Sequence, residues 1–226
     1  MHPKRLLKIV HQLGFIQVGL FALYKLRLKT GYYRWGTPQN LNTDHRKLNT
    51  LFTLPSREKL LSTLGEDGLQ TLLIEANHIV DGKFRIFGSE LTEIKLDFDH
   101  PLSHWADYET DKAQIPPTEY RKLNTALNLS LATCDLKLLW EPARFSWVFT
   151  LGRAYLASGD EKYAKAFWRY FEIFDKVNPV NMGPHWMNGQ EVALRLMVFV
   201  WTAQVFSNST ETTAELENRI TRSIAE

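Results

Sequence analysis

Residues 151–177 read LGRAYLASGDEKYAKAFWRYFEIFDKV, and this stretch decides the fold. On both sides of Ser158 and Gly159 apolar residues recur at three- and four-residue spacing, the period of a helix with one buried face. The break between the two runs has a mechanism. Gly159 can take the left-handed conformation that ends one helix, and Asp160 can accept hydrogen bonds from the free amides that begin the next. The chain therefore turns back on itself, and the stretch predicts an antiparallel helical hairpin.

Working outward, the same texture covers residues 141–157, 160–177 and 189–206, with breaks at 158–159 and 178–188. Residues 213–226 again show helical spacing through Leu216, Ile220 and Ile224, and the sequence stops there with no glycine or proline, as expected of a piece of a longer protein. Upstream, Pro116 and Pro117 precede Thr118, which can cap a helix starting near Glu119. Residues 56–80 carry Leu60, Leu61, Leu64, Leu69, Leu72 and Leu73 at helical spacing, with breaks expected at Gly65 and Gly68. Asp81 and Gly82 then form a turn, and residues 83–98 read as short extended pieces through Phe84, Ile86, Leu91, Ile94 and Leu96. Residues 100–108 read as an aromatic and polar loop with no helix, and the polar stretch through Asn49 reads as a linker. The prediction is a mainly α protein of antiparallel hairpins over 119–226, an irregular and partly helical lead-in over 31–118, and an N-terminal helix over 1–30.

Composition narrows the function. The 226 residues are 44% hydrophobic and 12% aromatic, which describes a folded chain rather than a disordered one. The formal charge is only +2, so no global basic field draws the chain to nucleic acid. The single cysteine, Cys134, excludes an internal disulfide and a cysteine zinc cage and is expected as a buried free thiol. Lys4, Arg5 and Lys8 precede an uncharged stretch over residues 9–24. That stretch is shorter than the ~20 residues a span needs, and no cleavage site follows it. An amphipathic helix with basic ends fits, either docked on the body of the protein or loosely on a membrane surface. The default expectation is a cytoplasmic protein, with a periplasmic or envelope-associated one as the alternative.

No phosphate loop, GxSxG elbow, HExxH or Cys/His metal spacing is present, so neither a cofactor nor a metal is expected. His2, His11, His45, His78, His100 and His104 lack ligand-like spacing. What stands out is a run of polar and aromatic residues at helix ends. Trp140, Glu141, Arg144 and Trp147 lie on one side, the loop 178–188 follows, and Glu191 and Arg195 come next. Glu141 with Arg144, and Glu191 with Arg195, each share a helix face and can form ion pairs. Such pairs either tie helix ends together or supply a carboxylate with an assisting cation. In the loop, two prolines and a glycine fix a backbone that leaves His185, Trp186 and three amide side chains available. Rings beside amide and guanidinium donors suit a sugar, and Arg or His adds a grip on a uronic carboxylate. The binding candidates are Trp140, Glu141, Arg144, His185, Trp186, Asn188, Glu191 and Arg195. For Trp186 a core or capping role, and for His185 a structural one, stand beside these.

The run from Lys137 through Leu138-Leu139-Trp140-Glu141-Pro142-Ala143-Arg144 to Phe145 is followed by Arg153-Ala154-Tyr155-Leu156 and Gly159-Asp160-Glu161-Lys162-Tyr163. Asn178-Pro179, Gly183-Pro184-His185-Trp186 and Glu191-Val192-Ala193-Leu194-Arg195 come next. In order and spacing this pattern resembles the heparinase II/III-like family, over about residues 135–206. Gly82-Lys83-Phe84-Arg85-Ile86-Phe87-Gly88 is similar to the family's preamble. One departure is His185, at a position that often reads Asn in the family.

The resemblance implies an incomplete (α/α) toroid, normally followed by an antiparallel β-sandwich domain that this chain does not include. It also implies a polysaccharide lyase that cleaves uronic-acid-containing glycans by β-elimination. In the family the Asn-His-type neutralising motif and the later Tyr and His lie beyond these residues. Within the chain, Asn188 or Gln190 can be assigned as neutraliser and His185 or Tyr155 as base, with nothing in the spacing forcing it. The expected partner is an acidic polysaccharide. The alternatives are a non-catalytic polysaccharide-binding or assembly protein of exopolysaccharide or capsule metabolism, and a plain helical scaffold. The scaffold predicts a repeat of ~34 to 45 residues that is not found.

Overall fold

The computed structural model describes residues 12–35, 53–98, 100–116 and 136–225. Cys134, the cap at Thr118, the basic residues Lys4, Arg5 and Lys8, and the polar stretch 38–49 lie outside the described residues. Within them the protein is mainly helical, with one small two-stranded sheet. In chain order the elements are α1 (Phe15–Thr30), α2 (Tyr32–Trp35), α3 (Arg57–Val80), β1 (Lys83–Arg85), β2 (Leu91–Glu93), α4 (Trp105–Glu109), α5 (Leu136–Ala143), α6 (Val148–Ser158), α7 (Lys162–Val177), α8 (Gly189–Val205) and α9 (Ala214–Ala225).

The hairpin α6–α7 forms as its turn residues dictate. Gly159 sits at φ 75°, its N–H bonding Tyr155 O at 2.7 Å, and Asp160 Oδ1 accepts from the Lys162 amide at 3.0 Å. α7 is the centre of the core: Tyr163, Phe167, Phe171 and Phe174, spaced by three and four, are all buried on one face. Phe167 stacks on Phe206 with centroids 5.3 Å apart, and Phe171 meets Phe199 edge-on at 5.4 Å. α3 packs most extensively along α6, and Leu72, Ala76 and Ile79 share one core with Leu151, Ala154 and Phe167. The lead-in thus supplies a wall of the same core.

Three local expectations are corrected. Residues 141–157 are not one helix. Pro142 has no N–H to extend the ladder, and Phe145 at φ 58° turns the chain between α5 and α6. The break swings Phe145 into the core, where it is fully buried, stacks on Trp147 at 5.1 Å and meets Phe199 edge-on at 5.2 Å. The loop 100–108 contains the short helix α4, capped by His104, whose Nδ1 accepts from the Ala106 amide at 3.2 Å. Of the two glycines in α3 only Gly65 interrupts it, at φ 66°; Gly68 is helical. The extended pieces are found as expected: β1 and β2 pair antiparallel with Phe84 opposite Thr92, and Phe84 and Ile86 are buried.

α1 is a helix that the body barely covers. Leu28 is its one buried residue and Lys25 reaches Glu109 of α4 at 3.9 Å, while the firmer contacts come from α2, where Tyr33 meets Trp105 at 5.4 Å and Arg34 pairs with Asp107. No helix among the described residues is long and apolar enough to cross a membrane.

α6 and α8 approach so closely at Gly152 that an added Cβ would lie 2.3 Å from the Trp201 ring. Gly152→Ala is therefore expected to lower stability by about 1–3 kcal/mol through overpacking. Gly68→Ala, whose Cβ would meet only the Leu64 side chain at 3.5 Å, is expected to raise it by up to about 1 kcal/mol. Thermal unfolding of both variants checks the pair; equal shifts would contradict the packing at Gly152.

Candidate functional site

The loop between α7 and α8 is held from several directions. Asn178 is buried and its Nδ2 donates to Leu96 O at 2.8 Å, which anchors the loop to the segment after β2. Residues 103–105 run alongside residues 181–183: Gly183 N–H donates to Ser103 O at 2.8 Å and Trp105 N–H to Asn181 O at 2.9 Å. At Gly183, φ 92°, the loop passes so close to Leu102 that an added Cβ would lie 3.1 Å from its side chain. A 3-10 turn, Pro184–Trp186, then leads to α8, whose first amides are capped by Asn188 Oδ1 accepting from Gln190 N at 2.9 Å.

Two cations organise the space between this loop and the helices. Arg144 lies between two buried carboxylates. Its Nη2 donates to Glu191 Oε1 at 2.8 Å, its Nε contacts the other Glu191 oxygen, and its Nη1 pairs with Glu141. This ties the end of α5 to the start of α8. Burial pushes the Glu141 carboxyl up against the opposing pull of Arg144, while the bond to Glu191 raises Arg144 further. The expected pair between Glu191 and Arg195 does not form, because Arg144 takes both Glu191 oxygens.

Arg195 is 3% exposed, and its guanidinium lies between two rings, 4.7 Å from the Phe174 centroid and 4.9 Å from that of Trp186. Its Nη1 donates to Ala143 O at 3.2 Å and its Nη2 to His185 O at 3.3 Å. Among the described residues no carboxylate reaches salt-bridge distance of it. Burial brings its pKa down to about 10, partly opposed by Glu191. Lysine could not substitute, since the two-carbonyl, two-ring geometry needs a planar fork.

Beside this clamp opens a cavity of about 490 Å³ between the loop, α7, α8 and α9. Phe174, Phe199 and Leu196 form its apolar side, and Asn178, Trp186, Arg195, Asp175, Arg222 and Ser223 its polar side. Asp175 is already paired with Arg219, whose Nη2 donates to it at 2.7 Å, and Arg222 is exposed, so the balance of charge at the cavity is positive. Trp186 Nε1 and Asn178 Oδ1 are buried atoms with no hydrogen-bond partner among the described residues.

The structure thus divides the sequence candidates. Trp186 and Arg195 line the cavity. Trp140 braces the turn, its Nε1 donating to Pro184 O at 2.9 Å, while Glu141, Arg144 and Glu191 form the inter-helix tie and Asn188 caps α8. His185 is 2% exposed between Phe98 and Phe174, at 4.8 and 6.0 Å, and burial together with Arg195 depresses its pKa to about 3. Tyr155 packs on Phe206 at 5.3 Å and donates weakly to Glu161 at 3.4 Å. It therefore sits at the far end of α8 from His185, roughly 25 Å away along the helix. Arg222 and Ser223 come to the cavity from α9, and the sequence signal for them was only their place beside the buried stripe Leu216, Ile220 and Ile224. Among the described residues no three His, Cys, Asp or Glu side chains gather as a metal site.

The profile described as Heparinase II/III N-terminus matches residues 104–223, more than half of the chain. The chain belongs to the heparinase II/III family and is a polysaccharide-lyase-related region. No curated protein and no solved structure matches it.

The depressed His185 sets a pH dependence. Its folded pKa, about 3, lies below the ordinary 6.5, so the unfolded chain binds the extra proton between them. Stability from this residue is present above pH 6.5 and is lost as pH falls toward 3. Between pH 6.5 and 5 it amounts to at most about 2 kcal/mol. Denaturant titrations should show this slope in the native chain and not in His185→Gln; the same slope in both would contradict the burial of a neutral imidazole.

Proposed function

We propose that the chain is the N-terminal helical part of a heparinase II/III-type polysaccharide lyase, an incomplete (α/α) toroid whose cavity beside Arg195 takes an acidic sugar. The single observation that carries this reading is the buried guanidinium of Arg195. It has no carboxylate partner among the described residues, and it lies at the edge of a cavity that also contains Trp186 and Arg222. A cation in a low-dielectric site without its own anion favours an anionic ligand. A uronic carboxylate supplies that anion, and the half-buried indole of Trp186 supplies a flat apolar surface for the ring that carries it.

β-Elimination needs the carboxylate neutralised, a base for the C5 proton and an acid for the leaving oxygen. Arg195 from below and Arg222 from the rim serve the first need by attraction. Among the described residues, none of the candidates read from the sequence is placed to serve as the base or the acid. His185 is sealed and too weakly basic, Tyr155 lies at the other end of α8, and the Asn188 side chain is spent on a helix cap. Gln190 is exposed at the start of α8 and is not among the residues lining the cavity. In this reading the described residues bind the glycan, and the acid and base come from elsewhere in the protein, as the family resemblance implies. The same lack of an acid and base favours the second reading, a protein that holds acidic polysaccharide during synthesis or export without cleaving it. Turnover by the complete protein separates the two.

The purified chain should bind uronic-acid oligosaccharides in calorimetry, release no unsaturated product, and prefer the acidic sugar to its carboxyl-reduced form. Arg222→Ala removes an exposed cation that pairs with no carboxylate among the described residues, without disturbing the core, and should weaken binding about tenfold, the value of one hydrogen bond to a charged group. Equal affinity for acidic and reduced sugars would overturn the proposed site.

A further inference from the structure

The N-terminal helix carries a feature that the glycan site does not use. Phe15, Ile16, Leu20, Phe21, Leu23 and Leu26 are all exposed on α1, with Leu20 at 61% and Phe21 at 60%. At 100° per residue these six point over roughly two-thirds of the helix circumference. A protein partner covers one face of a helix; a helix apolar over most of its circumference is matched by a hydrocarbon solvent. The helix is nevertheless too short to cross a bilayer.

Charge distinguishes the occupant further. Residues 1–35 contain seven Lys and Arg and no Asp or Glu, while the whole chain sums to +2, which leaves the remaining 191 residues at −5. The cations of the described part, Lys25, Arg27, Lys29 and Arg34, follow directly after the uncharged half of α1. Aromatic rings accompany them: Arg27 lies over Tyr32 at 4.8 Å, Lys25 over Tyr24 at 5.6 Å, and Trp35 is 87% exposed. An apolar helix end followed by basic residues and interfacial Tyr and Trp is the pattern that seats a helix in one leaflet with its cations at the head groups.

We propose that α1 inserts its uncharged half into the surface of an anionic lipid bilayer, with Arg27, Lys29 and the exposed Trp35 at the head groups, while Lys25 on Glu109 and Arg34 on Asp107 tie the helix to the body of the protein. A second copy of the chain is the competing occupant. It would have to bring a likewise strongly basic α1 against this one, which charge repulsion opposes.

Vesicle co-sedimentation of the full 226-residue chain tests this, using phosphatidylcholine with and without one-quarter phosphatidylglycerol. The chain should bind the anionic vesicles at least tenfold more tightly than the neutral ones, and high salt should weaken the binding. The double variant Leu20→Asp, Phe21→Asp should abolish it while leaving the unfolding temperature unchanged, because both side chains are exposed. Three results would overturn the proposal: no binding to either vesicle, equal binding by the double variant, or a concentration-dependent dimer lost in the double variant without vesicle binding. None of these bears on sugar binding at Arg195.

Discussion

A guanidinium held between two aromatic rings is the constraint on which the rest of this structure depends. Burying Arg195 removes it from water, which is costly unless its donors are met and its charge is compensated. Two backbone carbonyls, of Ala143 and His185, take its donors, and Phe174 and Trp186 offer their ring faces. Each desolvated ring contributes on the order of 2 kcal/mol. Among the described residues no carboxylate completes the compensation, since Glu191, the nearest by sequence, gives both oxygens to Arg144. The arginine thus joins the end of α5, the 3-10 turn and α8 while keeping a positive charge that nothing in its immediate shell cancels.

The surrounding elements are arranged around that clamp. The aromatic face of α7 brings Phe174 under the guanidinium, and the break at Pro142 and Phe145 brings the Ala143 carbonyl within reach of it. The pairing of residues 103–105 with 181–183 holds the loop so that Trp186 can close the other side. α9, tied to α7 by Arg219 on Asp175 and Glu172, supplies the outer wall of the cavity. On the proposed reading, stability and recognition draw on the same residues, and the exposed Arg222 is the place where binding can be probed separately from folding.

Much of the frame was legible in the sequence because it rests on local rules. The turn at Gly159 and Asp160 and the stripes of α7 and α9 follow from spacing and short-range chemistry. The break at Phe145 was not legible, because apolar spacing continues through it in Leu139, Ala143, Trp147 and Leu151. A phenylalanine at positive φ is fixed only by the core it enters. The roles of Glu191 and Arg195 were half legible. Their four-residue spacing says that they can pair, but a bidentate tertiary competitor, Arg144, decides that they do not. His185 and Trp186 were visible as an available pair, while the burial that takes His185 out of acid–base chemistry arises from Phe98 and Phe174, which are remote in sequence.

The most direct measurement of the central claim is a crystal structure of the chain with a uronic-acid oligosaccharide bound. A carboxylate facing Arg195 and Arg222, with its sugar ring against Trp186, is the predicted result. An oligosaccharide seated elsewhere, or a sugar in the cavity with its carboxylate turned away from both arginines, would contradict the account.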